Sequence, residues 1–385
     1  MIASILFVLL GALRAESPYL LISEAEAKAM RSSPALHEKI RALCEHEMKG
    51  GPWSVTYRRP EGLQIRPNDY YSEGPYWWPD PKNPKGPYIR KDGERNPNRF
   101  DKNRRDLGDM ANAVLALGMG AWLFDDSRYA GRAAKLVNTW FVDPSTRMNP
   151  HLNFGQAIKG HNDGRGAGII DTVSLIYAAQ GLALLERSGK WNATDAEAAR
   201  KWFAAYLTWL NTSKNGLDEK KAQNNHGTWW TSQVAAFAAF SHDKEMQRMA
   251  WERFYKQLVP VEIQPDGSCP REEARTNSLS YSTMNLDGFS ILCRLAEQDG
   301  KNLWKGTTLE KSFFYLKPYV LEPSKWKKQQ IGAYKADGTF FLGLAGLGLK
   351  SNELLNAYTS LPRADSAQVL FFDFLIRTSP AFANQ

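Results

Sequence analysis

DLGDMANAVLALGMGAWLF, residues 106–124, is the stretch that decides the fold. Its apolar residues recur at helical spacing and no Pro interrupts them, so it reads as a strong helix. Residues 129–141 continue closely in the same pattern. Farther along, helical stretches come in pairs: 169–188 with 195–211, 226–242 with 244–258, and 280–298 with 306–321. Weaker helices are expected over 350–360 and 366–377. Toward the start, residues 20–49 are helical, with Leu21, Ile22, Ala25 and Ala29 at helix-like spacing. Residues 50–104 break the pattern: they are rich in Pro, Gly, Asn and aromatics, with turn signals such as Asn83-Pro84-Lys85-Gly86-Pro87. Irregular segments of that length in compact proteins usually serve function. Strand signals are few. Helices of similar length joined by loops stack as hairpins. No repeat of fixed period runs through them, which favours a closed ring over an open solenoid. The expected fold is all-α, an (α/α) toroid made as an incomplete barrel of helical hairpins, with one domain over residues 16–385.

The chain has 385 residues, 43% hydrophobic, enough for a sizeable core and against disorder. The net charge of +8 suits a polyanionic partner, but the cations are scattered and form no basic tail. Residues 2–13 (IASILFVLLGAL) form an apolar run followed by Arg14-Ala15-Glu16-Ser17. That length suits the core of an export signal, here residues 1–15, and is short for a membrane span. A secreted or periplasmic protein is expected. No later stretch reads as apolar enough to cross a bilayer, so no membrane partner is expected. The cysteines, Cys44, Cys269 and Cys293, form no zinc or disulfide framework. A Cys269–Cys293 bridge and two buried thiols are both compatible with the sequence.

Four stretches can carry chemistry. Gln223-Asn224-Asn225-His226-Gly227-Thr228-Trp229-Trp230 gathers amides, an imidazole and indoles where a helix opens, and that end favours an anion. Arg271-Glu272-Glu273-Ala274-Arg275 leads into Tyr281 at the start of another helix. Arg is a fixed cation for a carboxylate, and Tyr281 can exchange a proton if nearby cations lower its pKa. Tyr76-Trp77-Trp78-Pro79-Asp80-Pro81, with Tyr88 to Gly93, is a stiffened aromatic loop that can form a sugar platform or lid, or a packing plug. The last holds Gln156, His161, Gly164-Arg165-Gly166 and Asp171; Arg165 can bind a carboxylate or pair with Asp163 or Asp171. No Gly-rich phosphate loop, His-Glu-x-x-His or Gly-x-Ser-x-Gly is present, and the six His are too scattered to suggest a metal site. Neither metal nor cofactor is expected.

Asn224-Asn225-His226-Gly227 opening a helix, followed by an Arg-rich stretch and Tyr281, resembles the alginate lyase superfamily of α/α-toroid polysaccharide lyases. The Trp77-Trp78-Pro79-Asp80-Pro81 loop and the stretch from Gly164 to Asp171 share the likeness, which spans roughly residues 70–375. The resemblance implies β-elimination on an acidic, uronate-containing glycan. It implies that Asn225 neutralises the substrate carboxylate, that His226 neutralises it or acts as base, and that Tyr281 acts as acid and for some linkages also as base. The family's Arg falls on Arg275, which stands slightly closer to the Tyr than usual, with Arg271 as the second choice. Trp77, Trp78, Gln156, Arg165, Asn224, Trp229 and Arg271 are the expected substrate-binding residues.

The residue types suit this chemistry. In a 4-linked uronate the C5 proton lies alpha to a carboxylate, and its removal puts more charge on a group already negative. Preorganised donors lower that barrier, by about 2.7–4 kcal/mol for one well-placed group. An acid must then protonate the leaving O4, and placed acid–base groups add roughly 10²–10⁴-fold. Alginate is the expected substrate, with a β-1,4-glucuronan second. Two rivals stand beside the lyase. A glycoside hydrolase would need a carboxyl pair, for which Glu272, Glu273, Asp163 and Asp171 are available. A non-catalytic glycan-binding protein would not need Tyr281. Export and the lack of a nucleic-acid module argue against nucleic acid as partner.

Overall fold

The computed structural model describes residues 19–379, which fold as sixteen α-helices linked by short turns and a few strands. In chain order they are α1 (Glu24–Ser32), α2 (His37–Glu47), α3 (Lys102–Phe124), α4 (Ser127–Val137), α5 (Leu175–Arg187), α6 (Ala193–Thr212), α7 (Lys214–Lys220) and α8 (Asn225–Ser241). Next come α9 (Lys244–Arg253), α10 (Val259–Glu262), α11 (Pro270–Glu273), α12 (Ser278–Gln298), α13 (Leu309–Leu321), α14 (Phe341–Leu349), α15 (Asn352–Thr359) and α16 (Ala367–Thr378).

Burial sorts the helices into two layers. In α8 every residue from Gly227 to Phe240 is buried, as suits a helix enclosed on all sides. In α4 burial falls on Tyr129, Ala130, Ala133, Leu136 and Val137, a single stripe. The inner helices touch in the order α3, α5, α8, α12, α14, α16, and α16 returns to α3. At that junction Asn112 Oδ1 accepts from the Ala367 N–H at 2.8 Å. The outer helices α4, α6, α9, α13 and α15 pack against inner partners. This is the α/α toroid. Its tightest seam joins α3 to α5, where a Cβ on Gly118 would sit 2.3 Å from the Gly181 carbonyl oxygen. Only glycine lets the two backbones meet so closely.

Two corrections concern the apolar helices. Lys102–Phe124 and Gly166–Arg187 are long and apolar enough to pass a membrane-span test, contrary to the sequence reading; 72% and 83% of the most apolar window of each is buried in the protein. An inner helix is apolar all round because neighbours cover it all round. The second is α14, which the sequence reading missed: FLGLAGLGL carries three glycines, which weaken its helical signal. The cysteines are all buried and free, so no Cys269–Cys293 bridge forms. The expected export signal lies outside the described residues.

The irregular stretch before α3 crosses one end of the ring and supplies short strands. β1 (Tyr71–Glu73) pairs in parallel with β4 (Phe154–Ala157), while β2 (Trp77–Trp78) and β3 (Ile89–Arg90) form a small antiparallel hairpin. The β1–β4 register slips between Tyr71↔Phe154 and Glu73↔Ala157. Gln156 lies at that slip in the left-handed region, φ 51°. For a non-glycine residue this is a strained conformation, of the kind that gathers at functional sites.

Candidate active site

A cavity of about 630 Å³ opens at the end of the ring where the inner helices begin. Arg104, Ser174, Asn225, Tyr281, Phe340 and Gln368 line it, one from the start of each inner helix or the residue beside it. The positive ends of six helices thus face one space, a setting that favours negative charge. Asn225, His226, Arg275 and Tyr281 all line this cavity, as do Trp77, Gln156, Arg165, Asn224 and Trp229. Trp78 and Arg271 do not.

Asn225 is the first residue of α8 and only 1% exposed. Its backbone N–H and its Nδ2 donate to the two Glu272 oxygens, at 2.5 and 2.7 Å. Burial raises the Glu272 pKa, while these two donors favour its charge. An amide nitrogen carries two hydrogens, so one remains for a ligand. Asn224, the residue before the helix, makes no capping bond with its side chain.

His226 Nδ1 lies 2.5 Å from Glu219 Oε1 on α7, which leaves Nε2 for the cavity. Glu219 is buried, and α7 is fixed by Ser213, whose Oγ accepts from the Gly216 N–H at 3.0 Å. Burial opposes the imidazolium, but the Glu219 carboxylate, with Glu272 behind it, outweighs burial and raises the His226 pKa.

Tyr281 lies in the first turn of α12, with its hydroxyl 2.5 Å from that of Tyr76. The Arg275 guanidinium lies 3.8 Å from the Tyr281 ring centroid. Its Nε and Nη2 donate to Asp92 at 3.2 and 2.9 Å. The Thr276 hydroxyl donates to the same carboxylate at 3.0 Å. Although partly buried, Asp92 is held well below the usual carboxylate range by Arg275 and Thr276. The nearby cation does not lower the Tyr281 pKa. Burial and the Tyr76 hydroxyl push it up, and the pull of Arg275 is smaller. Tyr281 rests as a neutral phenol.

Gln156 bridges the opposite wall. Its Nε2 donates to Asp171 at 3.0 Å and its Oε1 accepts from Arg165 at 2.7 Å. Asp171 also accepts from the Tyr70 and Ser72 hydroxyls, at 3.0 and 2.6 Å. Arg165 therefore pairs with Gln156, rather than with Asp163 or Asp171. Asp163 is exposed and lines a separate groove.

Three further expectations change. Trp77 faces the cavity and its ring lies 4.9 Å from that of His161, but Trp78 points the other way, as alternation along a strand requires. The Trp78 Nε1 donates to the Glu94 carbonyl at 3.0 Å. Arg271 is exposed and tied to the Val261 carbonyl and the Gln223 side chain, at 2.7 and 2.8 Å, away from the cavity. Trp229 is 3% exposed and its N–H is taken by the Met284 carbonyl at 3.1 Å, so it forms wall and offers no donor. The hydrolase carboxylates do not form a pair across the cavity. Glu272 holds Asn225, Glu273 accepts from the Cys269 N–H at 2.9 Å and pairs with Lys328, Asp171 serves three donors, and Asp163 faces elsewhere. Glu219 gave no signal in the sequence; Asp92 and Tyr76 lay in the aromatic loop without an assigned role.

The alginate lyase family model matches residues 57–326. The chain is 30% identical to an alginate lyase from Bacteroides ovatus, whose crystal structure it matches with a TM-score of 0.85 over 95% of this chain and 100% of that one. A histidine-to-alanine variant of alginate lyase A1-III, solved with a tetrasaccharide, is 17% identical with a TM-score of 0.63, over 92% and 96% of the two chains. Alginate lyase A1-III from Sphingomonas species A1 is 17% identical with a TM-score of 0.56, over 86% and 93%. At that distance the last two speak for the fold alone. No curated protein sequence matches.

Proposed function

The chain belongs to the alginate lyase family and is a polysaccharide lyase, and we propose that it cleaves a 4-linked polyuronate, alginate first, by β-elimination. The observation that carries this reading is the convergence of Asn225, His226, Arg275 and Tyr281 on one cavity where six helices begin. The surroundings of Tyr281 and His226 raise both pKa values, so the roles follow from where each proton rests: the phenol keeps its proton to give, and the imidazole keeps Nε2 free to take one. Tyr281, pushed up, is the acid. His226, backed on Nδ1 by Glu219, is the base, in the arrangement that steadies an imidazolium as it forms. Asn225, with its spare amide hydrogen, and the start of α8 take the substrate carboxylate; Arg275 adds positive charge beside Tyr281. The C5–H bond breaks toward His226 Nε2 and its electrons form the C4–C5 double bond. The C4–O4 bond breaks, and the Tyr281 proton passes to O4. A β-1,4-glucuronan meets the same requirements and is the second candidate. The apolar run before Arg14 supports export, which would bring the enzyme to such polymers outside the cytoplasm.

The test is ultraviolet absorbance of the unsaturated product on alginate, polymannuronate, polyguluronate and glucuronan, with Tyr281→Phe alongside. A rise on one polymer that is lost in the variant is expected. New reducing ends without absorbance would mean hydrolysis and sink the reading.

A further inference from the structure

The helix starts around the cavity are not level, and one of them is already filled. Asp287 stands six residues past Tyr281 on α12, about 9 Å deeper along the axis at a rise of about 1.5 Å per residue. There it meets the start of α14. Its Oδ1 accepts from the Phe340 and Phe341 N–H groups, at 3.0 and 2.9 Å. Phe340, the residue that opens α14, makes no capping bond of its own, so a neighbouring helix supplies the cap. Asp287 is 8% exposed and lines the cavity beside Tyr177, Phe340 and Gln368. Capping accounts for Oδ1 alone. Oδ2 has no hydrogen-bond partner among the described residues and is left for the cavity. A polar atom on so buried a side chain calls for a partner.

Oδ1 takes two donors, so a proton on this carboxyl rests on Oδ2. Burial pushes the Asp287 pKa up to about 8 from an ordinary 3.8, and the two N–H groups pull less strongly the other way. The titratable groups that face it are the phenols of Tyr177, on α5, and Tyr334, in the stretch before α14. No cation stands against it among the described residues. The Tyr177 hydroxyl accepts from Gln368 Nε2 at 2.9 Å and keeps its own hydrogen. This part of the wall therefore offers hydroxyl-type groups and no positive charge, unlike the parts that carry Arg165 and Arg275. A substrate carboxylate finds no counter-charge here, and the α14 amides that could have held it are taken. A sugar hydroxyl fits, because it can accept the Oδ2 hydrogen. We propose that Asp287 is a specificity-determining residue, whose Oδ2 bonds a ring hydroxyl of a sugar in the cavity and so selects among uronate epimers. β-Mannuronate and β-glucuronate differ only at C2, and a group that reads hydroxyls rather than carboxylates is what separates them. This inference rests on reading the cavity as a polyuronate site.

The test measures binding, so it does not depend on turnover. Tyr281→Phe protein, alone and with Asp287→Asn or Asp287→Ala added, is titrated calorimetrically with all-mannuronate and all-glucuronate tetrasaccharides, below and above about pH 8. Below that pH the parent should favour one epimer by about 3- to 10-fold, the worth of one neutral hydrogen bond. Asp287→Ala loses the preference by weakening the favoured sugar alone. Asp287→Asn still caps α14 through Oδ1 and presents an N–H where the Oδ2 hydrogen stood, so it keeps the preference. Above that pH the parent carboxyl ionises, gives up its hydrogen and loses the preference, while the Asn variant holds it. Equal weakening of both sugars in Asp287→Ala, as a purely structural cap would produce, overturns the proposal. So does a preference that survives Asp287→Ala, a parent with no preference, or a parent and Asn variant that change alike with pH. Should Asp287→Ala fail to fold, the Asn comparison across pH decides alone. A preference set by Asp287, in a wild-type protein that never yields unsaturated product, would sink the elimination reading and leave this role standing.

Discussion

Replacing Glu219 by Gln tests what His226 does. The Gln oxygen can still accept from Nδ1, so the ring keeps its orientation, but the buried negative charge 2.5 Å away is gone. A hydrogen bond to a charged group is worth about 1.5–3 kcal/mol, against about 0.5–1.5 for a neutral one. If the imidazolium forms as the C5 proton leaves, most of that difference falls on the transition state. At about 1.4 kcal/mol per decade, kcat should drop roughly 5- to 50-fold at the plateau. The pH profile then separates two roles. In the wild type, Glu219 raises the His226 pKa and burial lowers it. Without Glu219 the burial effect remains, so the pKa falls. A base must be unprotonated to act, so the acidic limb of kcat/KM should move to lower pH. Had His226 served as a fixed cation, the alkaline limb would move to lower pH instead. The assay is initial-rate absorbance of the unsaturated product across pH on the preferred polymer. A shifted alkaline limb with an unmoved acidic limb would refute the assignment of His226 as base.

Three further outcomes are expected. Tyr76→Phe removes a group that raises the Tyr281 pKa, so the acid deprotonates earlier and the alkaline limb of the pH–rate profile moves to lower pH; an unmoved limb would deny Tyr281 the role of acid. Glu272→Gln puts an amide where Asn225 donates twice, and kcat should fall about 10- to 100-fold with little change in KM, while Glu272→Asp recovers part of the loss. Glu262 is buried and its pKa is pushed up to about 8 from an ordinary 4.5, so the native state holds a proton that the unfolded chain has released between those values. Stability from this group is complete below pH 4.5 and is lost as pH rises toward 8. Thermal midpoints of Glu262→Gln should therefore decline less than wild type across that window; parallel curves would count against the shift.

The ring was legible because its inner helices declare themselves by unbroken apolar stretches, as in residues 106–124. α14 did not, since its glycines read equally well as loop. Asn225, His226 and Trp229 could be grouped because one helix start presents them together. What orients them could not. Asn225 meets Glu272 across 47 residues and Arg275 meets Asp92 across 183, and no local periodicity encodes such meetings. Arg271 and Arg275 looked interchangeable along the chain. The chain turns after α11, leaving Arg271 outside on that short helix and bringing Arg275 over Tyr281. Trp77 and Trp78 did carry a usable signal: adjacent residues on a strand face opposite sides, so both could not line one cavity.

The inner helices all begin at the cavity and end at the far side of the ring, where the turns after Phe124, Arg187, Ser241, Gln298 and Leu349 contribute nothing to its walls. The molecule is thus divided into a working face and a face of repair. Insertions, fusions or tags placed in the far turns should leave turnover intact, and new substrate preference should be sought by rebuilding the segments that lead into the inner helices. For an engineer, the chain comes with its editable and untouchable ends already marked.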